Sequence, residues 1–205
     1  MSESLEEFLS RVASNAPTPG GGTVSAVCGA LSASLCRMVA NLAVGKQGYE
    51  AVQPDLAAIE ETGKALQARF LALADADAAA YESVVAAMRL PKGTDAEKGV
   101  RKAAIQGAYR RATDVPLDTM RAGVDALELA RLAAERGNRN AITDAGVAGL
   151  LAHAAVRGAA LNVRINLAAI ADAAWREDRE RALGEILERS ADLAQDVERL
   201  VDARM

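Results

Sequence analysis

Residues 23–35 contain no charged side chain, and small or apolar residues fall on every side of the helix that they predict. A helix without a polar face has to be buried on all sides. The glycine, alanine and serine residues of this segment also allow neighbouring backbones to approach closely. We therefore predict that the segment forms the central helix of an all-α protein.

Apolar residues follow helical spacing along most of the remaining chain. The expected helices cover residues 5–15, 23–43, 54–89, 94–136, 140–171 and 175–203. Pro17 and Pro19 end the first helix, and Thr94 with Glu97 forms a capping box for the fourth. Pro116 is expected to kink or restart that fourth helix.

This pattern predicts one domain over residues 1–205, folded as an antiparallel helical bundle of five to seven helices. The sequence contains no strand-like alternation, internal repeat or linker. Segment 140–171 resembles the central helix in its alanine and glycine content and is also expected to be buried. Two helices that are apolar on all sides exceed what a small monomer covers, which predicts a homodimer.

Composition excludes several classes of protein. The net charge is −4 and the 24 basic residues are dispersed, which argues against nucleic-acid binding. Arg37 interrupts the longest apolar stretch, and the acidic start lacks a basic signal region, so a cytoplasmic protein without a membrane span is expected. Cys28 and Cys36 are predicted to be buried small side chains, and one histidine without a C-x-x-C motif makes a metal site unexpected.

The turn that precedes the central helix contains more glycine than a turn needs. Pro17 ends a helix, and three glycines follow Thr18 and Pro19; we take Thr18, Gly20, Gly21 and Gly22 as candidate binding residues. Backbone N–H groups at such a helix start suit a carboxylate, a phosphate or a developing oxyanion. The alternative is a helix stop and a tight turn without further function.

Lys46 and Tyr49 follow the other end of the same helix. If Lys46 is drawn into the bundle, its pKa should fall, which would make it an acid, a base or a hydrogen-bond donor. The alternative is a lysine that satisfies the carbonyl groups at the helix end. The turn and Lys46 are separated by about 24 residues, or ~36 Å along a straight helix.

Carboxylates at two further places lack an obvious structural purpose. Asp77 lies among alanine and leucine residues within the third helix, and Tyr81 is its neighbour one turn later. Asp114 precedes Pro116, where it is either a functional carboxylate or the N-cap of a restarted helix.

The last two groups of candidate site residues consist mainly of asparagines. Asn138, Asn140 and Asp144 surround the start of the fifth helix, where one capping residue would suffice. Asn162 and Asn166 are one turn apart on a helix that otherwise consists mainly of alanine, leucine and valine. Buried amides have to be hydrogen-bonded, so these two either brace the bundle or face a ligand.

These polar motifs occur in the order that is typical of the formiminotransferase-cyclodeaminase family, whose cyclodeaminase-like domain the chain resembles. The matching segments are 17–22, 45–49, 75–77, 112–117, 137–146 and 160–166. The likeness is strongest to the family's stand-alone bacterial methenyltetrahydrofolate cyclohydrolases. The resemblance implies an all-α homodimer that acts on a tetrahydrofolate derivative without a metal or nucleotide cofactor.

The implied reaction is hydrolysis of 5,10-methenyltetrahydrofolate to 10-formyltetrahydrofolate. We expect Lys46, held by Tyr49, to be the donor or proton relay, and Asp144 or Asp77 to be the carboxylate beside the substrate cation. The four asparagines would recognise the pterin edge, because amides both donate and accept hydrogen bonds. Two alternatives remain open, namely ammonia-releasing cyclodeamination and a non-catalytic helical interaction module.

Overall fold

The computed structural model describes residues 4–205, and six α-helices contain most of them. The helices are α1 (Leu5–Val12), α2 (Gly21–Asn41), α3 (Gln53–Met88), α4 (Asp95–Arg136), α5 (Ile142–Leu167) and α6 (Ala173–Arg204). Two single turns of 3-10 helix, Glu50–Val52 and Arg139–Ala141, precede α3 and α5. Residues 4–205 contain no β-strand, which confirms the predicted all-α class.

Helix α2 lies at the centre of the bundle, where it packs against α3, α4 and α5. Two of these contacts are possible only because a glycine has no side chain. A Cβ atom on Gly29 would lie 2.2 Å from the ring of Phe70 on α3, and one on Gly158 of α5 would lie 2.3 Å from Ser25 Oγ. The glycines of α2 and α5 therefore allow side chains of neighbouring helices to pack directly against their backbones, so the helices approach closely as the sequence predicts.

Helix α4 runs continuously through Pro116, so the predicted restart at this residue is wrong. Proline lacks the N–H group that would bind the carbonyl oxygen of Ala112, four residues earlier. Asn166 on α5 replaces it, because its side-chain Nδ2 donates a hydrogen bond of 2.6 Å to that oxygen. Asp114 consequently lies inside a helix and caps none, which also corrects the N-cap alternative.

The expectation that α2 and α5 are buried on all sides is wrong for the single chain. Each helix leaves an apolar stripe in solvent, formed by Leu31, Met38 and Leu42 on α2 and by Val147, Leu150, Leu161 and Ile165 on α5. Leu161 and Ile165 are 64% and 72% exposed. By length and composition Gly21–Asn41 and Arg139–Leu167 would also reach across a membrane, but about half of each is buried inside the bundle.

Two local predictions are confirmed. Thr94 and Glu97 form the capping box at the start of α4, with each side chain bonded to the backbone of the other. Helix α6 lies on the outside with mostly exposed residues, and it contacts α4 and α5 through a narrow face that includes Leu183 and Val197.

Candidate active site

The predicted site residues fall into two groups at opposite ends of α2. This helix has 21 residues, which corresponds to ~31 Å. The α2 N-terminal pocket comprises Gly21, Gly22, Thr23, Asp77 and Asn162. The α2 C-terminal cluster comprises Lys46, Tyr49, Asn138, Asn140 and Asp144. The fold of one chain therefore does not bring the two groups together.

Asp77 on α3 binds directly to the start of α2. The Thr23 hydroxyl donates a hydrogen bond of 2.9 Å to Oδ2 of its carboxylate, and the nearby backbone N–H of Thr23 also favours the charged form. The carboxylate lies so close to the helix that a Cβ atom on Gly22 would be 2.2 Å from Asp77 Oδ1. A side chain at position 22 would therefore displace the Asp77 carboxylate from its place against α2.

The electrostatics of this pocket differ from those expected for an anion site. Burial raises the pKa of Asp77, and the hydrogen bonds from Thr23 offset only part of that effect. Within residues 4–205 no lysine or arginine forms an ion pair with it. Because a carboxylate already lies at the N-terminus of α2, a second anion there is unfavourable, and we assign Gly20, Gly21 and Gly22 to shaping the pocket.

Asn162 on α5 forms the opposite wall. Its Nδ2 donates to the carbonyl oxygen of Gly158 at 3.0 Å, and a Cβ atom on Gly21 would lie 3.6 Å from this nitrogen. Its Oδ1 accepts no hydrogen bond from the described residues, which leaves the oxygen available to a ligand. Thr18 is half-buried in the adjoining turn.

Asn166 and Asp114 lie near this pocket but have partners within the protein. Asn166 binds the Ala112 carbonyl oxygen, as described above. Asp114 accepts a hydrogen bond of 2.9 Å from Arg179 Nε on α6, and the same guanidinium lies 4.6 Å from the centre of the Trp175 ring. Both side chains therefore connect α4 to a neighbouring helix, Asn166 from α5 and Asp114 to α6.

In the α2 C-terminal cluster, Asn138 closes the end of α2. Its backbone N–H donates to Val39 at 3.1 Å and its side chain donates to Leu42 at 2.5 Å, so two carbonyl groups left unpaired at the helix end gain partners. Its Oδ1 accepts from the backbone N–H of Asn140 at 2.9 Å. The buried Asn138 side chain is thus a brace, while the Asn140 side chain is exposed.

Lys46 lies on an exposed loop, so the premise that it is drawn into the bundle is wrong for the single chain. Positive φ angles of 68° and 88° at Gly45 and Gly48 shape this loop. Tyr49 attaches it to the start of α5, because its hydroxyl accepts a hydrogen bond of 3.0 Å from the backbone N–H of Arg139. Asp144 is half-buried in the first turn of α5 and has no hydrogen-bond or ion-pair partner among the described residues.

Sequence reasoning did not identify Thr23 and Arg179 as site residues. In the sequence, Thr23 looks like any other small residue of a buried helix. A threonine near a helix start is also common for structural reasons, such as capping. Arg179 lies among the many charges of α6, where nothing in the sequence distinguishes it. Both were revealed only by the carboxylates that they contact, 54 and 65 residues away in the chain.

A comparison with known protein families decides the family. The model of the formiminotransferase-cyclodeaminase family matches residues 4–202. The chain belongs to this family. The resemblance inferred from the polar motifs is therefore confirmed, and the match covers almost the whole chain.

Among relatives in the formiminotransferase-cyclodeaminase family, a methenyltetrahydrofolate cyclohydrolase of Methylorubrum extorquens is 44% identical, over 90% of this chain and 89% of its own. The formimidoyltransferase-cyclodeaminase of Rattus norvegicus is 30% identical, and the chain spans about a third of its length. The crystal structure of formiminotetrahydrofolate cyclodeaminase from Thermotoga maritima superimposes with a TM-score of 0.89 at 33% identity, covering 98% of this chain and 97% of that one. The similarity in structure confirms the fold of the bundle.

Proposed function

We propose that this protein is an enzyme of one-carbon metabolism in the cytoplasm that hydrolyses 5,10-methenyltetrahydrofolate to 10-formyltetrahydrofolate. The observation that carries this proposal is the 44% identity, along nearly the full length of both chains, with a protein named methenyltetrahydrofolate cyclohydrolase.

The chemistry of the substrate defines what the site has to supply. An amidinium cation bridges N5 and N10, water adds to the bridging carbon, and the tetrahedral adduct opens as one nitrogen leaves. A carboxylate beside the cation stabilises it and orients the water, and a donor stabilises the adduct oxygen or protonates the leaving nitrogen. We assign the donor or proton relay to Lys46, and the carboxylate to Asp144 or Asp77. Neither metal nor nucleotide has a role in this scheme.

The α2 C-terminal cluster is suited to this chemistry because its reactive groups are held but unpaired. Tyr49 fixes the loop that bears Lys46 to the start of α5. Asp144 lies in the first turn of α5 without an ion-pair partner among the described residues. Thr143, the residue before Asp144, is exposed beside it. A cationic substrate would therefore meet an available carboxylate and an available ammonium group.

We further propose that the protein is a homodimer and that each site combines the two ends of α2 from different copies. The apolar stripes of α2 and α5 extend along the length that separates the α2 N-terminal pocket from Lys46. A two-fold axis across these stripes would bring the start of one α2 towards the end of the other. This arrangement would also enclose Lys46, whose exposure in one chain is unfavourable for a proton relay.

Cyclodeamination is the alternative that a specific observation favours. The superimposable crystal structure is of a formiminotetrahydrofolate cyclodeaminase, and it covers nearly all of this chain. That reaction expels ammonia from 5-formiminotetrahydrofolate and forms the methenyl compound, so the same cationic centre has to be stabilised.

A spectrophotometric assay tests both proposals. We expect the purified protein to accelerate the loss of methenyl absorbance above an uncatalysed control, which is needed because the substrate hydrolyses spontaneously. Ammonia release on addition of 5-formiminotetrahydrofolate, without acceleration of methenyl hydrolysis, would establish the alternative instead.

A further inference from the structure

The Asp77 carboxylate has more hydrogen-bonding capacity than the protein uses. A carboxylate offers about four acceptor positions, and among the described residues only the Thr23 hydroxyl forms a hydrogen bond to this one. Asp77 is half-buried, and even partial removal of a carboxylate from water is unfavourable unless strong partners replace the lost water. No cation of the described residues fulfils that role. The pocket therefore presents an incompletely paired anion.

The surroundings of Asp77 indicate the shape of the missing partner. Tyr81 lies one turn further along α3 on the same face, and its side chain is 42% exposed. Asn162 contributes an amide oxygen that accepts nothing from the described residues. Gly21 has no side chain and is exposed, so no side chain at this position covers the space beside Asp77 and Asn162. An aromatic surface, a free amide and a carboxylate together suit a flat ring with N–H groups along one edge.

We propose that the α2 N-terminal pocket binds the pyrimidine edge of the substrate's pterin ring and that Asp77 is a recognition residue that takes no part in bond changes. The N3–H and 2-amino groups of a 2-amino-4-oxopyrimidine donate in parallel and match the two oxygens of one carboxylate. The Tyr81 ring provides a surface for stacking, and Asn162 offers an acceptor to a further ring N–H. This inference rests on the proposed function, since it takes the ligand to be a folate.

The proposal separates two roles that the sequence left combined. Asp77 fixes the pterin ring, whereas Asp144 becomes the carboxylate that pairs with the amidinium cation. Thr23 is then a positioning residue, because its hydroxyl hydrogen bond orients the Asp77 carboxylate. Its hydroxyl takes one acceptor position on Oδ2, and Oδ1 lies against Gly22, which leaves the remaining acceptor positions of the two oxygens for the ligand.

Binding of tetrahydrofolate, which has a pterin edge but no amidinium cation, tests the assignment. We would measure its affinity for the wild type and for Asp77→Asn by anaerobic calorimetry. The asparagine replaces one acceptor with a donor, and we expect roughly 30-fold weaker binding. Glu82→Gln, which removes an exposed carboxylate five residues along α3, is the matched control and should bind normally. Unchanged affinity in Asp77→Asn would overturn the proposal.

A ligand analogue provides a test that needs no variant. Replacement of the 2-amino group of tetrahydrofolate by methyl removes one of the two parallel donors, so the wild type should bind it at least ~10-fold more weakly. Asp77→Asn should show little further discrimination between the two ligands. Equal binding of both ligands by the wild type would contradict the proposal even if the variant failed to fold.

Steady-state kinetics distinguish recognition from catalysis. With methenyltetrahydrofolate as the substrate, we expect Asp77→Asn to raise KM while kcat stays within about threefold of the wild type. A large fall in kcat with unchanged tetrahydrofolate affinity would make Asp77 catalytic and overturn the inference. If the wild type hydrolyses no methenyl compound but binds tetrahydrofolate through Asp77, the proposed function fails and this inference stands.

Discussion

The Asn166 side chain donates a hydrogen bond of 2.6 Å to the carbonyl oxygen of Ala112, which Pro116 leaves without its helical partner. A side chain on α5 thus supplies the hydrogen bond that the backbone of α4 lacks at this point. This contact explains how α4 continues through a proline, and it also positions the helix next to the α2 N-terminal pocket.

We predict that Asn166→Ala lowers the free energy of unfolding by about 1–3 kcal/mol, because it leaves a buried carbonyl group unpaired. In a Pro116→Ala background the backbone N–H of residue 116 can again bind the Ala112 carbonyl oxygen. Asn166→Ala should then lower the free energy of unfolding by clearly less. Urea unfolding of the four proteins of this cycle measures the coupling. Asn162→Ala, which removes a bond to Gly158 instead, should be additive with Pro116→Ala.

Gly22→Ala should destabilise the protein by about 1–3 kcal/mol, because the new methyl group would overlap the Asp77 carboxylate. Gly21→Ala is the matched control, since its nearest neighbour would lie 3.6 Å away. Combining Gly22→Ala with Asp77→Ala removes the overlap. If thermal unfolding shows the double variant to be no more stable than Gly22→Ala alone, the steric explanation is incorrect.

The stability of Asp77→Asn relative to the wild type should depend on pH. Burial raises the pKa of Asp77 in the folded protein above the value of about 3.9 in the unfolded chain. The folded state therefore holds this proton more tightly, and the wild type loses stability as pH rises through that interval. We expect the melting temperature of Asp77→Asn minus that of the wild type to increase as pH rises from about 3.9 through the raised pKa, and then to become constant. A difference that is constant with pH would contradict the perturbed titration.

Lys46→Met should abolish most of the acceleration of methenyl hydrolysis without a change in melting temperature, because the exposed Lys46 side chain forms no hydrogen bond or ion pair with the described residues, and the substitution leaves its backbone hydrogen bonds intact. The loss of methenyl absorbance measures the rate. Activity within about threefold of the wild type would eliminate Lys46 as the donor.

A charged residue in the apolar stripe should separate the proposed dimer. We expect Leu161→Glu to yield monomers in light-scattering measurements and to lose activity, because the 64% exposed Leu161 side chain would be desolvated in the interface. Val100→Glu, at an equally exposed apolar residue on α4, should remain dimeric. A monomeric wild type that binds lipid vesicles would instead assign the stripe to a membrane surface.

The chain sequence was sufficient to predict the helices, their order and the family. Apolar spacing, proline positions and the Thr94 capping box are local signals, and helix formation responds to them directly. Residues 23–35 also predicted a central helix correctly. The sequence did not predict which side of that helix remains exposed, because this depends on how α3, α4 and α5 pack around it.

The arrangement of the site was decided by tertiary structure. The sequence identified Asp77 and Asn162 as unusual but gave no reason to pair either with the glycine turn, since α3 and α5 meet the start of α2 only in the packed bundle. It likewise could not reveal that Asn138 closes the end of α2. Hydrogen bonds between distant segments depend on ångström-scale packing, whereas sequence patterns report only which residues seek burial or a helix end.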